Sequence, residues 1–376
     1  MYVYKVFVCE MEVPNITWDT DPCIFIFKEE VAGKTKMHVK HLDISDWVRI
    51  DKSYCSQIEA KKELYKSYMA DIFVSRSDDE STELCKWEFF ELLIQHLLAR
   101  FPNIFEMKGE DYIVNKVTQE VISIKKEGSS EDPLLRAGKL TQDDWIILQY
   151  DTDLAMYVLT AGVLCFPSDW SLREKFNKPM DAIHEPVKPY TEHLKEKVNK
   201  LFVRMKPEKP MWRANWGIFS SLKDTTDLFI HPNRQLHRVG DPDSKLPFEG
   251  ELTGKKLYLR CEYQTLKKLP RTGAMVFGIR TYMRHLEDLK HHPNSTINSL
   301  LESIETLDEE FLSYKGGDIW KDATVQYLKL LLSQKENELK ENSSCFSMVS
   351  LTTYMKYGGL TVALLSLLMC ARLIKR

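Results

Sequence analysis

One histidine lies on a stretch of sequence too rich in proline to form a single helix or strand. The stretch CFPSDWSLREKFNKPMDAIHEPV, residues 165–187, holds three prolines, and Pro186 follows His184 after one residue. Proline fixes its own backbone and biases the preceding residue towards an extended conformation, so His184 sits on a stiff segment that can aim an imidazole. An axial haem ligand needs such a neutral, oriented nitrogen. An ordinary hydrogen-bonded loop histidine is the alternative interpretation.

A second group of residues suited to binding consists of arginines among aromatic residues. The sequence RCEYQTLKKLPRTGAMVFGIRTY, residues 260–282, carries Arg260, Arg271 and Arg280. Arginine pairs with carboxylates through two parallel hydrogen bonds, so these side chains are candidates for binding haem propionates or for stacking on a flat ligand. The alternative is that they are edge charges of a half-solvated sheet.

Motifs for other chemistry are weak. DTD at 151–153 and DPD at 241–243 match the D-x-D of membrane-anchored glycosyltransferases. Isolated acidic tripeptides are common in turns, where aspartate caps its own backbone, so a glycosyltransferase is only a remote alternative. The sequence has no G-x-S-x-G, G-x-G-x-x-G or C-x-x-C-H motif for a serine nucleophile, a dinucleotide or a covalently attached haem.

Composition and charge narrow the classes of partner. The 376 residues include 52 basic and 55 acidic side chains, a net charge of −3, so no long-range field attracts nucleic acid. Eight scattered cysteines contain no C-x-x-C pair, which indicates a reducing compartment. The length accommodates two domains, or one large domain with extensions.

An apolar segment near the end of the sequence predicts membrane attachment. The segment YGGLTVALLSLLMCARLI, residues 357–374, is long enough to cross the hydrocarbon core of a bilayer. We therefore expect one transmembrane helix at 354–374. The protein would be single-pass and tail-anchored, with a cytosolic domain, in the endoplasmic reticulum or outer mitochondrial membrane. A buried helix is the alternative.

Hydrophobic periodicity predicts an α+β fold, a central antiparallel sheet with flanking helices. Strands are expected as a pair within 111–126, at 145–148 and 155–166, and as a hairpin over 255–283. Helices are expected at 56–72, 83–101, 189–205, 296–313 and 320–339.

Six stretches, in family order, resemble the haem-dependent oxidative N-demethylase family. They are DWVRIDKSY from residue 46, ELLIQHLLARFPNIF from 91, LTQDDWIIL from 140, LCFPSDWSLREKFNKPMDAIHEPVKPY from 164, WRANWGI from 212 and LRCEYQTLKKLPRTGAMVFGIRTYM from 259. The domain prediction follows this resemblance. It comprises a divergent segment at 1–45, a family-like domain at 46–318 with a helical part at 46–110 and a sheet core at 111–285, a helical linker at 319–350 and the anchor.

The resemblance implies a PAS-like haem-binding sheet with haem b as cofactor. It also implies a monooxygenase that uses dioxygen to remove a methyl group from a small amine. Electrons would come from a separate NADPH-dependent flavin and iron–sulfur reductase. A non-catalytic PAS-like sensor of haem or a small molecule is the alternative function.

The resemblance assigns site residues by their positions in the matching family motifs, and it assigns none of them a catalytic role. The histidine of the family's I-H-x-P-V-P is His184, the expected haem-iron ligand. Arg271 of L-P-R-T-G and Arg280 of F-x-I-R-T-Y are expected to bind haem through its propionates or to make active-site contacts. The W-R-x-N-W match assigns three residues to the substrate pocket: Trp212, Arg213 and Asn215.

Two positions depart from the family pattern. Lys188 stands where the last proline of P-V-P is usual, and Tyr263 replaces the arginine of E-R-Q-T-L. The first change loosens the loop after His184. The second removes a charge from the expected pocket, where Tyr263 is counted as a lining residue, and it puts the substrate in question.

Overall fold

The computed structural model describes residues 39–357 except 77, 127–130, 169, 188–189, 191–193 and 221–244. Its strands form two antiparallel sheets, one of seven strands in the order β1-β8-β9-β10-β6-β7-β2 and one of three in the order β3-β4-β5. The strands are β1 Lys40–His41, β2 Phe73–Ser75, β3 Phe105–Lys108, β4 Tyr112–Asn115, β5 Glu120–Ser123, β6 Asp144–Asp151, β7 Met156–Val163, β8 Met211–Ser220, β9 Leu257–Lys268 and β10 Met275–His285.

Helices flank the large sheet. They are α1 Tyr54–Ser67, α2 Met69–Ile72, α3 Glu80–Arg100, α4 Pro133–Leu140, α5 Leu172–Lys175, α6 Met180–Ile183, α7 Lys195–Arg204, α8 Glu251–Lys256, α9 Asn294–Glu305, α10 Glu309–Tyr314 and α11 Gly317–Tyr357. The fold is thus mixed α+β with antiparallel sheets and flanking helices, which confirms the predicted class.

The two faces of the large sheet pack against different elements because successive strand residues point to opposite sides. One face, called here the helical face, packs Trp145, Ile147 and Val276 against α1, α3 and α4. The opposite face, called here the histidine face, packs Leu266 and Met275 against the chain between β7 and β8, which contains α5, α6 and α7. A given strand residue therefore belongs to one environment or the other.

Two predicted helices are divided in the structure, and the first of them, expected at 56–72, is α1 and α2. The expected helix at 296–313 is two helices, α9 and α10, separated at 306–308. The side chain of Asp308 accepts a hydrogen bond from the backbone N–H of Glu310, which caps the start of α10. Helix α11 packs Trp320, Tyr327 and Leu328 beside α9 in a separate core at the strand ends.

Some predictions lie outside the described residues. These include the D-x-D at 241–243 and the proposed anchor from residue 358 onwards. Among the described residues, none of the helices combines the length and apolarity needed to cross a bilayer.

Candidate functional site

His184 follows the single turn of α6, which starts after Pro179. Its backbone N–H donates to the carbonyl oxygen of Met180 at 3.2 Å. The ring nitrogen Nδ1 lies 2.9 Å from the same oxygen. Because a carbonyl oxygen only accepts, Nδ1 carries the proton, and the lone pair of the neutral ring lies on Nε2. The fold thus fixes one tautomer of this imidazole.

The surroundings of His184 favour its neutral form. Burial lowers the pKa of the imidazole, and the positive charges of Arg213 and Lys175 lower it further. The hydrogen bond to Met180 and the charge of Asp181 act in the opposite direction but do not cancel the effect. His184 is therefore uncharged at neutral pH, with an available Nε2 lone pair.

Tyr190 covers one side of the His184 ring. The two ring centroids are 4.3 Å apart and the planes differ by 21°, a stacked arrangement. Two successive turn hydrogen bonds bring Tyr190 back to the histidine, from Val187 N–H to His184 O at 2.8 Å and from Tyr190 N–H to Val187 O at 2.9 Å. Tyr190 is buried. Burial and the nearby Asp181 raise the pKa of its hydroxyl.

Strand β8 contributes polar side chains to the histidine face. Arg213 lies near enough to His184 to affect its pKa. Asn215, two residues along and on the same face, donates to Glu262 at 3.3 Å. Gln264 donates to the same carboxylate at 2.8 Å. The buried Arg260 lies 3.4 Å from the same carboxylate, so amides, a carboxylate and a guanidinium give the histidine face its polar groups.

Strand alternation places two of the predicted pocket residues on the helical face. Trp212 packs against Tyr263 with ring centroids 5.1 Å apart. The guanidinium of Arg49 lies 4.0 Å above the Tyr263 ring, and the Tyr263 hydroxyl donates to Asp46 O at 3.4 Å. The expectation that Trp212, Arg213, Asn215 and Tyr263 line one pocket is therefore corrected, because neighbouring residues of a strand point to opposite faces.

Arg280 also lies on the helical face, within what we call the buried ionic network: Asp51, Lys61, Asp143, Asp144 and Arg280. Arg280 donates to Asp51 at 2.6 Å, and Lys61 lies 3.2 Å from Asp144. Lys61, Asp144 and Arg280 are fully buried. Burial outweighs the two nearby positive charges and raises the pKa of Asp143 to about 6.

Arg271 lies in the turn between β9 and β10, against α3. Its guanidinium is 2.5 Å from Glu91 and 3.6 Å from the buried Glu88, and about two thirds of the side chain is exposed, at 64%. Arg271 and Arg280 thus have carboxylate partners within the fold. The prediction that they bind propionates remains untested.

The aspartates at 151–153 have a structural explanation. Asp151 accepts hydrogen bonds from the backbone N–H groups of Asp153 and Leu154, both at 3.0 Å, and so closes the turn between β6 and β7. Within the described ranges, no group of three or more His, Cys, Asp or Glu side chains is arranged to hold a metal ion.

Sequence reasoning missed Asp181 and Tyr190, both near His184. Asp181 is three residues before the histidine, which places it on the first turn of α6. The aromatic residue closing the stretch HEPVKPY was a signal for Tyr190, since a stretch with two prolines favours turns.

The described part of the chain thus forms an α+β protein that presents a neutral histidine as a candidate ligand beside an antiparallel sheet. Residues 38–325 match the family described as haem-dependent oxidative N-demethylase, alpha subunit-like, and the chain belongs to this family. The recognition made from the sequence motifs is therefore confirmed.

Proposed function

We propose that the protein is a haem-dependent monooxygenase that demethylates a small methylated amine. The observation that carries this proposal is the hydrogen bond from His184 Nδ1–H to Met180 O, at 2.9 Å. An imidazole that ligates a metal through one nitrogen is characteristically oriented through the other nitrogen by a carbonyl or carboxylate. Family membership supports the same cofactor.

The residues of the histidine face fit a haem. Nε2 of His184 would ligate the iron, and Tyr190 holds the ring plane. Arg213 is the arginine whose charge reaches His184, so we assign it to a propionate.

Bound haem supplies the oxidising chemistry, with dioxygen as the oxidant. One methylated amine, one dioxygen, two electrons and two protons give the demethylated amine, formaldehyde and water. The electrons would come from an external NADPH-dependent flavin and iron–sulfur reductase. The apolar side chains of the histidine face, including Leu266, Met275 and Ile279, would exclude water beside the amine.

Strand order supports a PAS-like description of the sheet. The five strands β6 to β10, numbered 1 to 5 along the chain, lie in the order 2-1-5-4-3. The helices that cover the histidine face come between the second and third of them. This arrangement supports a PAS-like sheet, and His184 lies on the connection that covers it.

The test is the visible spectrum of the full-length protein purified with haem, beside His184→Ala. We expect a Soret band in the wild type that is lost or strongly shifted in the variant. His285→Ala is the matched control, because His285 also contacts a carbonyl through Nδ1, Lys255 O at 2.7 Å, and packs on Tyr258, with centroids 4.2 Å apart. Haem binding that survives His184→Ala unchanged would refute the assignment.

Turnover separates an enzyme from a sensor. Formaldehyde released from methylated amines, with a reductant and dioxygen present, supports the demethylase. A ligand-dependent spectral change without product supports the sensor. Tyr263 lies on the helical face, so its replacement of the family's arginine removes no charge beside His184, and this favours catalysis.

Membrane attachment belongs to the same proposal and is supported by sequence alone. The transmembrane helix expected at 354–374, which contains the apolar segment at 357–374, has the length of a single span. Flotation of the full chain with liposomes, compared with a chain ending at residue 350, tests it.

A further inference from the structure

Tyr190 makes a contact with His184 that packing alone does not require. A buried tyrosine packs equally well against aliphatic side chains, yet this ring lies 4.3 Å from the imidazole and nearly parallel to it, at 21°. The chain reaches this position through the two turn hydrogen bonds at His184, Val187 and Tyr190. The stack restricts rotation of the imidazole about its Cβ–Cγ bond, and the Nδ1 contact with Met180 restricts it a second time.

The Tyr190 hydroxyl has a further property. Tyr190 is 5% exposed, and its hydroxyl oxygen makes no hydrogen bond within the described residues. Leaving a buried hydroxyl without a partner is costly, so a bound ligand that accepts a hydrogen bond there gains the energy of that bond. Tyr157, a second buried tyrosine on the same face, instead directs its hydroxyl towards Phe202 O at 3.5 Å and Gly273 O at 3.4 Å.

We propose that Tyr190 is a positioning residue for His184, with its ring fixing the imidazole plane and its hydroxyl donating a hydrogen bond to the group that His184 binds. This inference rests on the proposed function for the identity of that group as haem. The stacking part concerns residues of the chain alone and is testable without haem.

Two substitutions separate the ring from the hydroxyl. Tyr190→Phe keeps the stack and removes the hydroxyl, whereas Tyr190→Leu removes the stack and keeps an apolar side chain. In haem-loaded full-length protein, we expect Tyr190→Leu to release haem to an acceptor globin on the order of tenfold faster. Tyr190→Phe keeps the stack, so it should release haem more slowly than Tyr190→Leu, and loss of the hydroxyl should shift the ferric spectrum. Tyr157→Phe is the control and should change neither.

The stack of Tyr190 on His184 can also be tested in protein without haem, by NMR. The aromatic ring current of Tyr190 displaces the His184 ring-proton resonances, so Tyr190→Leu should move them at fixed pH and Tyr190→Phe should not. If the wild type binds no haem, the proposed function fails while these resonances still decide the stack. Unmoved resonances in Tyr190→Leu overturn the positioning role. Wild-type ferric spectra in Tyr190→Phe overturn the hydrogen-bond role.

Discussion

The buried ionic network and the His184 segment are both polar regions of the fold, but they differ in the origin of their contacts. In the network, charges from distant parts of the chain meet: Arg280 with Asp51, and Lys61 with Asp144. His184 instead contacts Met180 and Tyr190, four residues before it and six after it. The buried ionic network joins the segment around α1 to the sheet. The orientation of His184 depends instead on residues close to it in sequence.

This difference separates two kinds of family motif. DWVRIDKSY, LTQDDWIIL and the strand containing Arg280 converge on the network and hold the fold together. The contacts that orient His184 are instead with residues close to it in sequence, and they present its side chain. A motif shared with a family therefore does not by itself mark a binding residue. Substitutions in the buried ionic network and at His184, made separately, test whether the first stabilises the fold and the second binds a ligand.

The largest effect is expected from Lys61→Met. The substitution leaves Asp144 buried without its cation and also removes hydrogen bonds to the carbonyl oxygens of Thr141 and Asp143. Removing one partner of a buried ion pair typically costs about 3–5 kcal/mol in the free energy of unfolding. Denaturant unfolding measures this loss.

The control lies on the same helix. Lys66→Met removes an exposed ion pair with Glu63, and we expect no measurable change in stability. Equal stability of the two variants would contradict the view that the network holds α1 to the sheet.

A pH effect of intermediate size is expected from Asp143. The folded state raises the pKa of this carboxyl from 3.8 to about 6, mainly through burial. Between these pH values the folded protein holds a proton that the unfolded chain has released. Stability from this group therefore falls as pH rises from about 4 to 6, by about 3 kcal/mol, and is constant above that range.

Asp143→Asn removes this titration. The difference in unfolding free energy between variant and wild type should change across pH 4 to 6 and level off above it. Asp153→Asn, in the exposed turn after β6, is the control and should follow the wild type throughout. A difference independent of pH would mean that Asp143 does not titrate in this window.

The secondary structure was largely predictable because its patterns are local. The hairpin expected at 255–283 is β9 and β10, and the apolar face of residues 83–101 is α3. The division at 306–308 was missed because a capping aspartate is a weaker signal than the apolar period on both sides of it.

The predicted pocket was less accurate because it was built from motif membership without regard to side-chain direction. Alternation within β8 was sufficient to separate Trp212 from Arg213. The sequence does not show which distant segments pack together, so the hydrogen bond between Arg280 and Asp51, 229 residues apart, could not be foreseen. The stack of Tyr190 on His184 depends on two turns whose geometry the prolines only indicate.

The smallest effect is expected from Arg271→Ala. Glu88 is buried, but it also accepts hydrogen bonds from the backbone N–H of Thr272, at 2.8 Å, and from the Thr272 hydroxyl, at 2.6 Å. The carboxylate therefore keeps partners when the mostly exposed guanidinium is removed, and we expect a loss of no more than about 1 kcal/mol. Haem content should stay at the wild-type level, whereas Arg213→Ala should lower it. An equal loss of haem in Arg271→Ala and Arg213→Ala would contradict this expectation. It would support the propionate role that the motif predicted for Arg271, with the turn between β9 and β10 close to the cofactor.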